Sequence, residues 1–340
     1  MKILPSSQNM PAPSGAEPYP TGSRPVVKLP PPPESWSLRI KSLVWRLLWP
    51  IRWPISQALG LLSWLFRLVQ WTAFGLHVAI DYVRLMYLDY TARPDDIFIV
   101  SYPRSGTTWL QMILYQLTTD GNMDFAHIAE KCPWFERSAI SKRNLDKLPS
   151  PRVFKTHLPY IWLPKRRCRY IYVARNGKDV AWSFFQFYRS HFRYRGSFEQ
   201  FFRLFMRGWV AWGSWFYHVR GYWKRRHDPR FLFLFYEDMV RDLEGAIRRI
   251  IQFCGLHIPE ERMPEIVRRC SFPFMKQHEE KFDYAFELLV DQGITPGSFL
   301  RKGQVGEGQS AFTWQLHEQF DRKYRRRLAP LGFPLRQPSD

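Results

Sequence analysis

Residues 101–109 combine the groups that bind a phosphate. They read Ser-Tyr-Pro-Arg-Ser-Gly-Thr-Thr-Trp and directly follow the apolar run 97–100. A buried strand that ends in a tight turn before a helix aims unpaired backbone N–H groups at one point, which makes an anion site. Side-chain donors, a glycine and a flat aromatic face lie in the same run: Arg104, Ser105, Gly106, Thr107, Thr108 and Trp109. The run therefore predicts a site for a phosphate that is attached to an aromatic base.

The same run differs from the Walker A loop of ATP-binding proteins. That loop has two spaced glycines followed by Lys and Ser or Thr, and it wraps a triphosphate with its Mg²⁺ ion. Here Gly106 is the glycine of the turn, and no lysine follows it. The pattern favours a mono- or bisphosphate ligand without a metal ion. The alternative interpretation is a strand–turn–helix connection whose threonines bind nothing.

A second run, residues 153–159, places a lysine and a histidine at a predicted strand end. It reads Val-Phe-Lys-Thr-His-Leu-Pro, and its proline stops the strand. Side chains alternate along a strand, so Lys155 and His157 point to the same face. Ligand sites of open α/β sheets lie beyond the carboxyl ends of the strands. Imidazole has a pKa that suits general base chemistry near neutral pH, although a lone histidine is more often a structural hydrogen-bonding group.

Two further strand ends and a late loop also carry polar or basic groups. One predicted strand is followed by Arg175 and, two helical turns later, by Ser183; another ends at Tyr236. The late loop, residues 299–303, reads Phe-Leu-Arg-Lys-Gly. Taken alone, the first of these is a basic helix start, where an acidic residue complements the helix dipole, and the last is a charged surface loop.

Composition limits the class of protein. The chain has 340 residues, 45% of them hydrophobic, and a net charge of +20, which suits a densely negative partner such as a nucleic acid, an anionic lipid or a polyanionic cofactor. Its cysteines show neither paired nor metal-ligand spacing: Cys132, Cys168, Cys254 and Cys270. We therefore expect reduced thiols and a cytoplasmic protein.

The first part of the chain differs from the rest. Residues 1–34 contain ten of the 27 prolines, which predicts a disordered tail. Residues 35–92 are rich in Trp, Leu and Arg, and uncharged runs of 14 and 13 residues flank Arg67. Each run is too short to cross a bilayer alone, so a segment that lies in the membrane interface on the cytosolic side fits better than a span. The alternative is a helical subdomain packed on the core or along a partner.

From residue 93 to residue 340 the pattern predicts one α/β domain with a parallel sheet flanked by helices. The predicted strands are Ile97–Tyr102, Arg152–Thr156, Arg169–Ala174 and Phe231–Tyr236. The predicted helices are Thr107–Leu117, Lys178–Arg189, Phe198–Trp215, Glu244–Cys254 and Ala311–Leu328. The last of them carries an apolar stripe with a spacing of four residues: Phe312, Leu316, Phe320, Tyr324 and Leu328.

These motifs together resemble those of the sulfotransferases that use 3′-phosphoadenosine 5′-phosphosulfate (PAPS). The run 101–109 resembles the family's 5′-phosphosulfate loop, and Lys155 to Pro159 resembles its Lys-Thr-His-Leu-Pro signature. The segment around Arg175 and Ser183 is similar to the family's 3′-phosphate motif. The resemblance covers about residues 93–330 and implies a P-loop-like parallel sheet with PAPS as cosubstrate and no metal ion.

The resemblance also implies a role for each matching residue. His157 would be the general base, with Lys155 and Arg104 stabilising the transferring group. The residues at the 5′-phosphate would be Ser105, Gly106, Thr107 and Thr108, and those at the 3′-phosphate Arg175, Ser183, Arg301, Lys302 and Gly303. The adenine would lie among Trp109, Tyr236, Ser271, Phe272, Met275 and Phe299. Three positions depart from the family's usual residues: Arg104 for Lys, Gly177 for Pro or Ala, and Cys270 for Thr.

The acceptor is not named by these motifs. The segments expected to form its pocket, residues 124–150, 184–197 and 280–298, are heavily aromatic. Their large side chains are Phe125, Trp134, Phe135, Phe184, Phe185, Phe187, Phe282, Tyr284 and Phe286. We expect an apolar hydroxylated acceptor, such as a lipid, a sterol or a phenol, and no specific nucleic acid.

Two other classes of function remain as alternatives. A basic protein that binds nucleic acid or membranes through a non-catalytic nucleotide-binding fold would explain the charge, but not the pairing of His157 with Lys155. A small-molecule kinase would need a Walker-type lysine and a magnesium-binding aspartate, and neither is in position in the sequence.

Overall fold

The computed structural model describes residues 91–140, 145–163, 167–283 and 299–337, together with residues 43–44, 48, 50–51, 53–62 and 65. The predicted proline-rich tail and most of the Trp/Arg-rich segment lie outside these residues. The chain divides into two units, residues 1–74 and 75–340. In the first unit, residues 53–62 are helical and exposed. Among the described residues, no helix combines the length and apolar character that crossing a bilayer requires.

The second unit contains a four-stranded parallel sheet. Its strands are β1 (Ile97–Ser101), β2 (Val153–Thr156), β3 (Arg169–Ala174) and β4 (Phe231–Phe235), in the spatial order β2-β1-β3-β4. Strand β1 is central: Val100 lies opposite Thr156 of β2 and Tyr172 of β3. All four predicted strands are confirmed, each within one residue at either end. Since all strands run in the same direction, their carboxyl ends meet at one edge of the sheet.

Helices cover both faces of this sheet. They are α1 (Thr107–Thr118), α2 (Phe135–Ile140), α3 (Gly177–His191), α4 (Phe198–Arg207), α5 (Trp215–Trp223), α6 (Tyr236–Arg241), α7 (Leu243–Cys254), α8 (Met263–Arg269), α9 (Phe272–Gln277), α10 (Glu307–Ala311) and α11 (Trp314–Arg327). Short 3₁₀ turns lie at Ile128–Glu130, Leu145–Lys147, Tyr160–Trp162, Glu260–Arg262, Glu279–Lys281 and Ala329–Leu331.

The two faces of the sheet bury different kinds of side chain. Phe98 and Tyr170 belong to an aromatic core that packs under α3, α4, α5 and α11. Their neighbours in sequence, Ile97, Ile99 and Ile171, belong to an aliphatic core under α1, α7 and α8. This division follows from the two-residue period of a strand, which sends successive side chains to opposite faces. The predicted parallel α/β sheet flanked by helices is therefore confirmed.

Two of the predicted helices differ from the observed ones. The predicted helix 198–215 is two helices, because Gly208 adopts a left-handed conformation that ends α4 and Ser214 accepts a hydrogen bond from the Tyr217 N–H at the start of α5. The predicted helix 311–328 begins at Trp314, and Phe312 precedes it in extended conformation. Its apolar stripe is nevertheless buried at Leu316, Phe320 and Leu328.

Gly177 stands where the family that the sequence resembles usually has Pro or Ala, and close packing explains this difference. A Cβ atom at this position would lie 2.5 Å from the Phe320 ring and 2.8 Å from the Trp215 ring. Gly177 is the first residue of α3, directly after the strand end that carries Arg175. A side chain here would push α3 away from α5 and α11, so the glycine allows the three helices to pack closely.

Candidate active site

A cavity of about 420 Å³ lies at the edge of the sheet where the strands end. Residues that follow β1, β2, β3 and β4 all reach it, as the topology requires. Of the residues that the sequence assigned to nucleotide binding and catalysis, those that line the cavity are Arg104, Gly106, Thr107, Thr108, Trp109, Lys155, His157, Arg175, Ser183, Tyr236, Phe272, Met275, Phe299, Arg301, Lys302 and Gly303. Residues from seven separate segments of the sequence thus meet in one place.

Two predicted site residues are not among the lining residues. The Ser105 side chain is buried, and its hydroxyl has no hydrogen-bond partner within the described part of the chain. The Ser271 hydroxyl accepts a hydrogen bond from the Phe274 N–H and caps α9. Each serine is adjacent in the sequence to a lining residue: Ser105 lies between Arg104 and Gly106, and Ser271 precedes Phe272.

The loop between β1 and α1 is held in a left-handed turn. Arg104 has φ of 68° and Gly106 has φ of 103°. A Cβ atom at Gly106 would lie 2.9 Å from the Tyr236 ring, so only glycine fits both the conformation and the space. The Thr107 hydroxyl is hydrogen-bonded to the Ser101 hydroxyl, which anchors the helix start to the end of β1. The first turn of α1, whose N–H groups have no partner within the helix, therefore begins at the cavity.

Lys155 is a buried lysine at the end of β2. Its ammonium group lies 4.6 Å from the centre of the Trp134 ring, and its backbone N–H donates to the Pro133 carbonyl. Burial lowers its pKa to about 8, with Glu136 acting in the opposite direction and Arg137 in the same direction. Lys155 is therefore a cation near neutral pH that gives up its proton more easily than an exposed lysine.

His157 is held in one tautomer. Its Nδ1 atom lies 2.8 Å from the Ser101 carbonyl oxygen, and because a carbonyl only accepts hydrogen bonds, Nδ1 carries the proton. The lone pair is then on Nε2. The His157 backbone N–H donates to the buried Glu136 carboxylate at 2.7 Å, which fixes the residue from the other side. The rings of Trp134 and Trp212 lie 5.4 and 5.7 Å from the imidazole.

Burial keeps this imidazole neutral. Burial, and to a smaller extent the charge of Lys155, lower the pKa of His157 to about 3. A second buried imidazole, His218, lies 3.0 Å from the Tyr172 hydroxyl, and burial lowers its pKa to about 3 as well. Both histidines are therefore uncharged at neutral pH, and His157 is the one that lines the cavity.

Three arginines, Arg104, Arg175 and Arg301, line the cavity together. The Arg104 guanidinium donates to the Ser183 hydroxyl at 3.2 Å and to the Phe299 carbonyl at 3.0 Å. It lies between the rings of Phe187 and Phe299, at 5.1 and 5.0 Å. Burial and the charges of Arg175 and Arg301 lower its pKa to about 10. This region is thus strongly positive, and an anion bound here would relieve the repulsion.

Arg175 connects this positive region to the aromatic part of the cavity. Its two terminal nitrogens donate to the backbone carbonyls of Arg104 and Gln304, and its guanidinium lies 4.3 Å from the centre of the Tyr236 ring. Its Nε atom is buried and has no hydrogen-bond partner within the described part of the chain. A donor left in this state is consistent with a site that receives an acceptor group from outside the protein.

Flat aromatic faces form a separate wall of the cavity. The Trp109 and Tyr236 rings meet edge to face at 5.5 Å, and the Trp109 indole N–H donates to the Cys270 carbonyl at 2.7 Å. A Cβ atom at Gly303 would lie 2.4 Å from the Phe272 ring. The contact at Cys270 uses its backbone, so the replacement of a threonine there leaves this hydrogen bond intact.

The structure also places the aromatic residues expected at the acceptor. Trp134, Phe184, Phe187 and Phe282 line the cavity. Three other aromatics that were named for these segments are instead buried in the two cores: Phe125, Phe135 and Phe185. Tyr284 and Phe286 lie outside the described residues.

Sequence reasoning missed several residues that line the cavity: Arg137, Phe192, Trp212, Asp283 and Glu307. Trp212 has φ of 69°, a rare conformation for a bulky residue, and is followed by left-handed Gly213. The Gly-Trp-Val-Ala-Trp-Gly run at residues 208–213 could have indicated a break in the predicted helix and a tryptophan held in a turn. Within the described part of the chain, no group of His, Cys, Asp and Glu side chains could hold a metal ion.

Comparison with known proteins agrees with this geometry. A family model for the sulfotransferase domain matches residues 94–332. Sulfotransferase 1C2 of Rattus norvegicus is 37% identical over 255 residues, which are 70% of this chain and 85% of that protein.

Solved structures are similar as well. The structure of retinol dehydratase with androsterone and the inactive cofactor PAP has a TM-score of 0.64 and 27% identity, and covers 74% of this chain and 85% of that one. A mouse sulfotransferase, SULT7A1, complexed with PAP has a TM-score of 0.58 and 31% identity, and covers 72% of this chain and 89% of that one.

The two neutral buried histidines predict a loss of stability in acid. The pKa of His157 and of His218 is about 3 when folded, against an ordinary value of 6.5. Below about pH 6.5 these histidines are protonated in the unfolded chain but remain neutral in the folded chain. The free energy of unfolding therefore falls as pH decreases. Between about pH 7.5 and about pH 5, each histidine should lower the free energy of unfolding by about 2 kcal/mol.

Urea unfolding at these two pH values measures this effect. His218→Gln should lose about 2 kcal/mol less than the wild type over the same interval. The exposed His227→Gln is the matched control and should lose as much as the wild type. An identical pH dependence in His218→Gln and in the wild type would contradict the assignment of a neutral folded His218.

Proposed function

The chain belongs to the sulfotransferase family and is a PAPS-dependent sulfotransferase, and from this premise we propose that it sulfates a hydroxyl group of an apolar small molecule with His157 as general base. The observation that carries the proposal is the fixed tautomer of His157, whose Nδ1 proton faces the Ser101 carbonyl and leaves Nε2 as the basic atom. His157 lines the same cavity as the phosphate-type loop that follows β1.

The residues of the cavity fit PAPS. Gly106 and Gly303 let their loops pack closely against the rings of Tyr236 and Phe272, two of the aromatic residues proposed to contact the adenine. Two phosphate groups need two sets of donors, and the cavity is lined both by the start of α1 and by the arginines Arg104, Arg175 and Arg301. When bound, PAPS supplies the sulfuryl group, as an SO₃-like unit that passes in line between two oxygens.

We assign the donors to the two phosphates in this way. The 5′-phosphate would be held at the start of α1 by Ser105, Gly106, Thr107 and Thr108. The 3′-phosphate would be held by Arg175, Ser183, Arg301, Lys302 and Gly303. Arg104 precedes Ser105 in the 5′-phosphate loop, and its guanidinium donates to the hydroxyl of Ser183, which is assigned to the 3′-phosphate. Its charge would therefore stabilise both phosphates. The adenine would lie against Trp109, Tyr236, Ser271, Phe272, Met275 and Phe299.

His157 and Lys155 would act on the transferring group and the acceptor. A base must be unprotonated to accept the acceptor's proton, and burial keeps His157 in that state throughout the physiological range. A pKa of about 3 makes it a weak base in the unliganded protein. Negative sulfuryl oxygens beside the imidazole would favour its protonated form and raise that pKa toward the operating pH. Lys155 would neutralise the charge on the same oxygens.

The surroundings of His157 support an apolar acceptor. The Trp134 and Trp212 rings are nearly parallel, at 5.9 Å between centres, and both contact the imidazole edge to face. Phe184 packs against Trp212 at 6.1 Å. Retinol dehydratase, which this chain resembles, has been crystallised with androsterone and with retinol, two apolar molecules that carry hydroxyl groups. We propose an acceptor of this chemical type.

The N-terminal segment supports a proposal about location. In the helical stretch 53–62, Trp53, Leu59 and Leu62 are about 60% exposed. We propose that residues 36–90 lie on the cytosolic face of a membrane, with the catalytic domain in the cytoplasm. Four buried cysteines without disulfide bonds suit that reducing compartment.

Replacement of the proposed base should abolish transfer without affecting the nucleotide. His157→Ala should lower kcat by about 10²–10⁴-fold, the contribution typical of a general base. Labelled PAPS with a panel of sterols, phenols and long-chain alcohols measures transfer, and calorimetry with adenosine 3′,5′-bisphosphate measures binding. His218→Gln, a buried histidine beyond the cavity lining, is the control. If His157→Ala keeps most of its kcat, the base is another group.

Replacement of one arginine should affect ligands that carry a 3′-phosphate. Arg175→Ala or Arg301→Ala should weaken binding of adenosine 3′,5′-bisphosphate by about 2–4 kcal/mol, because a charge-assisted contact is lost and a phosphate is left under-paired. Adenosine 5′-phosphosulfate lacks the 3′-phosphate and should be much less affected. Equal losses for both ligands would place the 3′-phosphate site elsewhere.

The membrane proposal is tested by co-sedimentation. The full chain should bind vesicles that contain anionic lipid, and a chain that begins at Thr91 should not. Salt should weaken the binding, because surface charges are screened. If the full chain ignores the vesicles and the shorter chain loses stability instead, the segment covers apolar surface of the folded protein.

A further inference from the structure

The two cations of the late loop, Arg301 and Lys302, already form ion pairs with one carboxylate, that of Glu307. Glu307 accepts hydrogen bonds from both terminal nitrogens of Arg301, one of them at 3.0 Å, and its carboxylate lies 3.1 Å from the Lys302 ammonium. The Glu307 side chain is only 14% exposed, whereas that of Lys302 is 58% exposed. Sequence reasoning had not singled out this glutamate, which lines the cavity beside both cations.

The backbone around Glu307 is held in place by a second carboxylate. Asp179 of α3 accepts hydrogen bonds from the Gly306 N–H at 2.8 Å and from the Gly308 N–H at 2.7 Å. A Cβ atom at Gly308 would lie 2.3 Å from the Lys178 carbonyl oxygen, so only glycine permits this contact. The backbone on both sides of Glu307 is thus anchored by groups other than the cations with which its carboxylate pairs.

Charge in this region explains why a carboxylate is needed. Arg104, Arg175 and Arg301 are close enough for their repulsion to lower the pKa of Arg104. Burial raises the pKa of Glu307, but hydrogen bonds from Arg301 and Lys302 outweigh it, and the net pKa is lowered. Glu307 is therefore ionised at neutral pH and removes one unit of positive charge from the cluster.

We propose that Glu307 is a counter-ion that the 3′-phosphate must displace from Arg301 and Lys302 when PAPS binds, and that it thereby weakens nucleotide binding and speeds product release. The inference rests on the proposed assignment of these two cations to the 3′-phosphate. A phosphate monoester carries about two negative charges and a carboxylate one, so a ligand with a 3′-phosphate can win this exchange. A nucleotide without it leaves the two cations paired with Glu307 and gains nothing from them.

The exchange has two consequences for the reaction. Nucleotides with a 3′-phosphate bind less tightly than the two cations alone would allow, because the phosphate must first displace Glu307. The product adenosine 3′,5′-bisphosphate is released faster, because the carboxylate returns to the cations as the phosphate leaves. Glu307 thus lowers the affinity for the bisphosphate and in return speeds product release.

Calorimetry with two nucleotides tests this proposal. Glu307→Gln keeps the shape of the side chain and removes its charge. It should bind adenosine 3′,5′-bisphosphate about tenfold more tightly than the wild type, and adenosine 5′-monophosphate with unchanged affinity. Stopped-flow measurement should show slower release of the bisphosphate. The matched control is Glu318→Gln, since Glu318 also contacts two arginines, Arg322 and Arg325, on the surface of α11.

Each result separates the counter-ion role from its alternatives. Unchanged or weaker binding of the bisphosphate by Glu307→Gln would overturn the proposal, because Glu307 would then be inert or would position the cations. Unchanged binding of the monophosphate shows that the variant is folded. Arg301→Ala tests the underlying assignment: if it leaves the preference of the wild type for the bisphosphate intact, the 3′-phosphate site is wrong and the counter-ion role fails with it.

Discussion

The concentration of positive charge at the carboxyl edge of the sheet is the constraint on which the rest of the site depends. Arg104, Arg175 and Arg301 lie close together in a partly buried region, where repulsion is stronger than in water. The protein stabilises this arrangement with aromatic faces, backbone carbonyls and the carboxylate of Glu307. A doubly phosphorylated nucleotide provides the negative charge that such a cluster requires.

In the proposed catalytic pair of His157 and Lys155, by contrast, the surroundings keep the imidazole of His157 uncharged. His157 is buried beside a cation, and both conditions keep its imidazole neutral. Its hydrogen bond to Ser101 connects the tip of β1 to the residue just after β2, so the base and the phosphate loop share one support. The parallel register of the two strands therefore fixes the position of the His157 imidazole relative to the loop that follows β1.

The sequence departures from the family pattern have structural explanations of different kinds. Gly177 is required by close packing against Phe320 and Trp215, and Cys270 offers its backbone carbonyl to Trp109 where a side chain is not needed. Arg104 uses the reach and planar shape of its guanidinium to contact Ser183 and Phe299 while it lies between two phenyl rings. A lysine has no planar group with which to make all of these contacts.

The sequence by itself determined the parallel sheet and which segments meet at its edge, because apolar runs of strand length followed by polar tips are a local pattern. It placed all four strands, and 16 of the residues that it assigned to PAPS binding and catalysis line one cavity. Only the tertiary structure decided the neighbours of each charged group. Glu307 meets Arg301 through a turn held by Asp179, 127 residues away in the sequence, and Trp212 reaches His157 through a break in a predicted helix. Burial, and with it the neutrality of His157, is also a property of the whole fold, which no local pattern of residue types can record.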